Sequence, residues 1–245
     1  MPHKFDIDPA LRDLLMQVGT ATLSSQLIKR GLRNTFIPRV TSVDPKHAGM
    51  VGPAYTLSFI PSREDIAIAA NMATPSNPQR AAIEAVPPGH VLIMDARGDL
   101  GGGNLGDILI ARLRYRGVAG IVTDGALRDA EELRTLGFPI FCQGFAAPPS
   151  YCRIMASDAN RPIGCGGVPV FPGDIIRGDS DGVVVIPPHL AADVARDSLE
   201  QERVDRYVRR RVDRGAATAG LYPPNEPNRA AYQRWIAAGE DDSAL

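Results

Sequence analysis

Lysine is scarce in this chain. Only Lys4, Lys29 and Lys46 occur, and arginine carries the rest of the positive charge. An amine nucleophile of the Schiff-base kind therefore has few candidates. Cysteine is equally rare: Cys142, Cys152 and Cys165 are odd in number and show no CxxC spacing. That argues against a disulfide framework and for reduced thiols in a cytoplasmic setting. No histidine lies near a cysteine in sequence to support a thiol nucleophile. His3, His47, His90 and His189 are scattered, so a histidine-rich zinc centre is not expected. No apolar run approaches the ~20 residues of a membrane span. The first residues, Met1 to Asp6, lack the apolar core of a signal peptide. A formal net charge of -1 excludes the basic excess that a general nucleic-acid binder needs. There is no internal repeat and no low-complexity segment.

What is present can fold. With 245 residues, 44% of them apolar, the chain can bury a sizeable core in one large domain or two small ones. Asp8-Pro9 followed by Leu11, Leu14, Leu15 and Val18 predicts a capped helix ending at Gly19. Thr20 to Arg30 predicts a second helix, stopped by Gly31. Residues 50–60 read as a strand, Ser62 to Asp65 as the start of another helix, and Pro75 to Pro78 as a loop. From residue 88 the pattern is βαβαβ. His90 to Ala96 is a continuous apolar strand, as expected when both sheet faces are covered. Asp107 to Arg116 is an amphipathic helix with Gly117 at its end. Val118 to Thr123 is a strand, Arg128 to Leu136 a helix, and Pro139 to Cys142 a third strand. Short strands are then expected at Val168 to Phe171, Ile175-Ile176 and Val183 to Ile186. A long charged helix runs from Ala191 to about Arg214. Its arginines, Arg206, Arg209, Arg210, Arg211 and Arg214, interleave with acids and read as a solvated face or one that meets another subunit.

Residues 101–132 hold the chemistry. Gly101, Gly103 and Gly106 spell GxGxxG, with Asp124 ending the next strand where a ribose-binding acid would sit. Four residues, Arg97 to Leu100, separate the strand from the first glycine, however, and a dinucleotide fingerprint wants a tight turn. A small-carboxylate site fits better. The amides of Asp107, Ile108 and Leu109 open a helix and lack intrahelical partners, so they can receive an anion. Arg128-Asp129 follows at the C-terminal end of a parallel strand, where open α/β sheets place ligands. Asp129 suits a hard cation such as Mg²⁺ or Mn²⁺, and Arg128 offers donors to a developing oxyanion. Gly178-Asp179-Ser180-Asp181-Gly182 matches GxSxG, but strand follows it rather than helix, so it reads as a tight turn.

The spacing Asp107, twenty residues, Arg128-Asp129, two residues, Glu132 resembles the signature of the family of RraA, the regulator of ribonuclease E activity, and of 4-hydroxy-4-methyl-2-oxoglutarate / 4-carboxy-4-hydroxy-2-oxoadipate aldolase. Segments 51–57, 87–96, 171–187 and 199–208 also resemble family segments. The resemblance implies an α/β fold like the swivelling phosphohistidine domain, a sandwich with mixed sheets, assembled as a trimer or hexamer. The chain reads as one domain over residues 1–218, with 219–245 as a tail that is either an arm on a neighbouring subunit or a frayed terminus; its YPPN resembles the longer members of the family. It further implies a divalent-metal-dependent pyruvate aldolase with oxaloacetate decarboxylase activity, acting on a small 2-keto acid. By that resemblance Asp129 binds the metal and Arg128 contacts the keto or enolate oxygen. Gly106, Asp107, Ile108 and Leu109 bind the substrate carboxylate through backbone amides, and Asp107 orients a water. Glu202, or less well Glu200, matches a glutamate contributed by an adjacent subunit. Ser24-Ser25-Gln26 departs from the Ser-Asp-Ala of short members. The other implied activities are regulation of a ribonuclease by protein contact, and a related lyase or hydratase on a sugar-acid-derived 2-keto acid.

Overall fold

The structure, a computed structural model, describes residues 6–241. His3, Lys4, the rest of the first five residues and the last four residues of the tail lie outside the described residues. The strands are β1 (Thr41–Ser42), β2 (Met50–Pro61), β3 (Val91–Asp95), β4 (Gly120–Thr123), β5 (Ala126–Leu127), β6 (Ile140–Cys142), β7 (Gly144–Phe145), β8 (Ile154–Ala159), β9 (Ile175–Asp179) and β10 (Gly182–Ile186). The α-helices are α1 (Pro9–Met16), α2 (Thr20–Lys29), α3 (Ala69–Met72), α4 (Pro78–Ala85), α5 (Asp107–Tyr115), α6 (Ala130–Thr135), α7 (Pro188–Asp213) and α8 (Glu226–Ala237). Packing divides the chain into two compact units, Met1–Ala195 and Arg196–Leu245, with the division inside α7.

In the first unit the main sheet runs β1-β6-β4-β3-β2-β9-β10, with β8 added on β2. The β2-β3, β3-β4 and β4-β6 pairs are parallel and the others antiparallel. This is the mixed α/β arrangement expected, with a nearly closed mixed sheet. β2 is long enough to serve two groups of partners: Met50–Pro53 pairs with β9, while Leu57–Pro61 pairs with β8. Successive residues of β3 face opposite ways. Leu92 and Met94 pack with Ile83, Ile110, Leu113 and Leu133 under the helices, and Val91 and Ile93 pack with Met50, Phe141, Ile176 and Val183 on the other face. The unbroken apolar run is therefore needed, because neither face meets water.

Two helix starts show how the chain is stitched together. α1 is capped locally, Asp8 accepting from the amides of Ala10 and Leu11. α2 begins after Gly19, which has no side chain to cap it. Asp179, at the β9-β10 turn, fills that role: its carboxylate accepts from the Thr20 amide and hydroxyl, both at 2.7 Å. The GxSxG stretch is thus a two-residue hairpin turn, as read, with Asp179 opposite Gly182.

Three expectations change. No helix starts at Ser62, because its amide donates to Arg153 O at 2.9 Å and prolongs the strand pairing; the helix that follows is the short α3. Pro78 is not loop but the first residue of α4, capped by Asn77. Val168 to Phe171 is not a strand: Val170 makes one isolated bridge to Ile163, and the chain then turns. β8 was not anticipated, since its outer residues Ser157 and Asp158 are exposed and break the apolar pattern.

The second unit builds its own small core from Tyr207, Val208, Leu221, Tyr232 and Trp235. Tyr207 lies 5.6 Å from Tyr232 and 5.5 Å from Trp235, ring centre to ring centre. The arginine run is partly consumed here. Arg210 stacks over Trp235, Arg211 donates to the Tyr207 hydroxyl, and Arg209 pairs with Asp213. Trp235 is the sole tryptophan of the chain and is fully buried. Tyr207→Ala should therefore lower the unfolding midpoint read by Trp235 fluorescence, a loss of about 3 kcal/mol. An unchanged midpoint would mean that this cluster is not packed.

Candidate active site

Two βα junctions build the site. β3 leads through the glycine-rich loop into α5, and β4 leads through β5 into α6. The two connections are bonded to each other: Asn104 N donates to Ala126 O, and Arg128 N donates to Leu105 O at 3.0 Å. The loop glycines explain how close they come. A Cβ on Gly103 would lie 2.8 Å from Arg128 Cβ, and one on Gly106 would collide with Asp129 Oδ2. Both positions have ordinary negative or extended backbone requirements, so it is the missing side chain that matters and not left-handed geometry. The GxGxxG spelling thus records a chain-to-chain approach.

Asp129 sits at the start of α6 in the left-handed region, φ 62° and ψ 50°, and does not cap its own helix. Such a conformation in a non-glycine residue costs of order 1 kcal/mol and clusters at functional sites. Its effect is to turn the carboxylate toward α5. Asp129 Oδ2 accepts from the Asp107 amide at 3.2 Å, and Oδ1 lies 3.4 Å from Arg128 Nε. The α5 N-terminus, whose preceding Gly106 offers no cap, stabilises that negative charge. The sequence suggested three free amides here. One of them, that of Asp107, is taken by Asp129, which leaves Ile108 and Leu109 to receive an anion. The Asp107 carboxylate itself has no partner among the described residues.

These groups line a cleft of about 460 Å³. Gly106, Asp107, Ile108, Leu109, Arg128 and Asp129 are all brought together in it. Glu132 follows on α6 and is not among the cleft residues. Glu200 and Glu202 lie on α7 in the second unit, whereas every cleft residue belongs to the first. Sequence reasoning missed Met72, Gln79, Arg80, Ser150 and Tyr151, which also line the cleft. The Asn77-Pro78 cap would have located Gln79 and Arg80 on a helix start, but nothing local ties that start to a loop twenty-five residues on. The link is the Gln79 side-chain amide, which donates to Asn104 O.

The cleft suits a hard cation held by few protein oxygens. Among the described residues no group of three His, Cys, Asp or Glu side chains could hold a metal. Mg²⁺ keeps several waters and commonly takes only one or two carboxylates. Asp129 offers one, half-exposed and fixed by an amide, over the space that Gly106 leaves open. Asn104 adds a buried carbonyl oxygen, Oδ1, that has no hydrogen-bond partner among the described residues. Such an atom costs about 1–3 kcal/mol until a ligand or water satisfies it.

The other candidates resolve into structure. Asp124 is 3% exposed and accepts from the Ala96 and Gly166 amides at 2.6 and 2.9 Å. Burial raises its pKa, against the pull of those amides. Burial also pushes the Cys142 thiol up to about 11, and Cys165 rises for the same reason. Only Cys152 is exposed.

Residues 20–185 match the protein-family model described as RraA-like, Aldolase/RraA. The chain belongs to the RraA-like family. A protein of Halalkalibacterium halodurans named "Putative 4-hydroxy-4-methyl-2-oxoglutarate aldolase" is 36% identical over 163 residues, 66% of this RraA-like chain and 71% of that protein. Protein DlpA of Legionella pneumophila is 27% identical over 86% of the chain, which spans only 33% of DlpA. Among solved structures, Streptomyces coelicolor RraAS2, described as an unusual member of the RNase ES inhibitor RraA protein family, superposes with a TM-score of 0.75. It is 34% identical, over 85% of this chain and 99% of RraAS2.

Gly106→Ala should keep the fold and lower turnover by about a hundredfold, because a displacement near 1 Å at Asp129 suffices for that. Turnover within twofold of the parent would show that the carboxylate position is unimportant. A thiol reagent at neutral pH should titrate one cysteine, Cys152, in the native protein and three after denaturation. Rapid labelling of Cys142 or Cys165 would contradict their burial.

Proposed function

We propose that this RraA-like chain is a divalent-metal-dependent carbon–carbon lyase. It would cleave a 4-hydroxy-2-oxo acid by retro-aldol chemistry and decarboxylate oxaloacetate, both through a pyruvate enolate. The observation that carries this reading is the convergence of Arg128, Asp129 and the free amides of α5 in one cleft. The relative named as an aldolase supports the same chemistry.

The substrate's C1 carboxylate is received by the amides of Ile108 and Leu109 at the positive end of α5. Mg²⁺ or Mn²⁺ held by Asp129, when bound, supplies Lewis-acid polarisation of the C2 keto group. Arg128 donates to the C2 oxygen and gains strength as negative charge grows there, so it favours the transition state over the ground state. When the C3–C4 bond breaks, its electron pair moves to C3 and C2–O. The proton of the C4 hydroxyl passes through a water to Asp107, which later returns it to C3 to give pyruvate. With oxaloacetate the same enolate forms as carbon dioxide leaves. Glu202 is assigned to the cleft of an adjacent copy in a trimer or hexamer, and the setting is cytoplasmic. Lysine chemistry is not needed, since no lysine lines the cleft among the described residues.

A second reading rests on the likeness to RraAS2: a ribonuclease regulator that acts by protein contact. Pyruvate release separates the two. Turnover of oxaloacetate should vanish in EDTA and return with Mg²⁺ or Mn²⁺. Asp129→Ala and Arg128→Ala should each lower kcat by about 10²–10³-fold without loss of fold. Full activity in EDTA, or near-normal turnover in both variants, would falsify the lyase assignment.

A further inference from the structure

The cleft holds a second guanidinium that the chemistry above does not use. Arg80 lines the same cleft as the glycine-rich loop. Its Nε points to Met72 O at 3.4 Å, and no carboxylate pairs with it among the described residues. Arg80 is also in an unfavourable place for a cation. It is the third residue of α4, in the first turn, where the helix presents its positive end and no acid compensates. A structural arginine gains nothing from that position. The first-turn amides are already engaged by Asn77, so an anion here would be held by the guanidinium itself and gain only the field of the helix end.

Arg80 is held for such a task. The Asn77 side chain accepts from the amides of Gln79 and Arg80, at 3.0 and 3.4 Å, and fixes the start of α4. Gln79 then ties that start to Asn104 in the loop that carries Gly103 and Gly106. So Arg80 and the Arg128-Asp129 pair line one cleft and are braced through one short chain of contacts. Ala69, Met72 and Ala73 line the cleft beside Arg80 and offer apolar surface to carbon.

We propose that Arg80 is the specificity-determining residue for the half of the substrate beyond the C3–C4 bond, and that it selects a leaving half bearing its own carboxylate. This rests on the lyase reading of the cleft. A planar guanidinium with free donors recognises a carboxylate in two-point fashion, which a neutral aldehyde or ketone half cannot exploit.

The experiment compares two aldols that differ only in that group: 4-hydroxy-4-methyl-2-oxoglutarate, and 4-hydroxy-4-methyl-2-oxopentanoate, in which a methyl replaces the distal carboxylate. The parent protein should favour the first in kcat/KM. Arg80→Gln should lower kcat/KM for the first by about 10- to 100-fold, mainly through KM, and for the second by less than threefold. Arg80→Lys should recover part of the preference. An unchanged ratio, or equal losses on both aldols, sinks the assignment. Binding is measured alongside by calorimetry with Mg²⁺ present, using 2-oxoglutarate and 2-oxopentanoate. The parent should prefer the dicarboxylate at least tenfold, and Arg80→Gln should abolish that preference. If the parent cleaves neither aldol, the lyase reading fails, and calorimetry alone decides Arg80: a retained preference in Arg80→Gln refutes it.

Discussion

The site depends on one steric fact: the connection carrying Arg128-Asp129 can lie against the glycine-rich loop only because Gly103 and Gly106 have no side chains. That approach lets Asp129 Oδ2 reach the Asp107 amide and hold a half-exposed carboxylate over the cleft. The left-handed backbone at Asp129 follows from the same constraint, since a relaxed helix start would point the carboxylate back into α6. Strain at one residue and the absence of two Cβ atoms are thus parts of a single device.

A comparison within the fold sharpens this. α2 and α5 both begin after a glycine, and both borrow a carboxylate from a distant part of the chain. Asp179 gives α2 two 2.7 Å contacts, a cap that ties the helix to the hairpin. Asp129 gives α5 one longer contact and leaves two amides unused. The first is a finished structural joint. The second keeps part of its capacity in reserve for ligands, and that difference separates a brace from a binding site.

Much of the fold was legible in sequence because its elements are locally encoded. The Asp8-Pro9 cap, the apolar run of β3 and the glycine stop after α2 each specify their element without help, whereas α1 ends at Met16 and Gly19 opens α2 instead. β8 was not legible, since Ser157 and Asp158 carry no apolar signal and the strand exists because β2 offers it an edge. Ser62 misled for a related reason: a polar cluster that looks like a helix start is captured by pairing with Arg153. Asp107, Arg128 and Asp129 were found from spacing and chemistry. Gln79, Arg80, Ser150 and Tyr151 were not, because contacts distant in sequence put them on the same cleft. The engagement of the Asp107 amide by Asp129 could not be read from helix rules either, which count orphan donors but do not say who claims them.

β2 sets the timing of assembly. Its middle pairs with β3, close behind it in the chain, but its first residues pair with β9 and its last with β8. Met50 stands opposite Gly178, so the central strand stays half-edged until most of the first unit has been synthesised. Loop closure over that span must be spent before the pairing repays it, which slows folding and leaves an apolar edge open in the nascent chain. A growing polypeptide of this topology therefore exposes one side of its central strand until β8 and β9 have emerged to cover it.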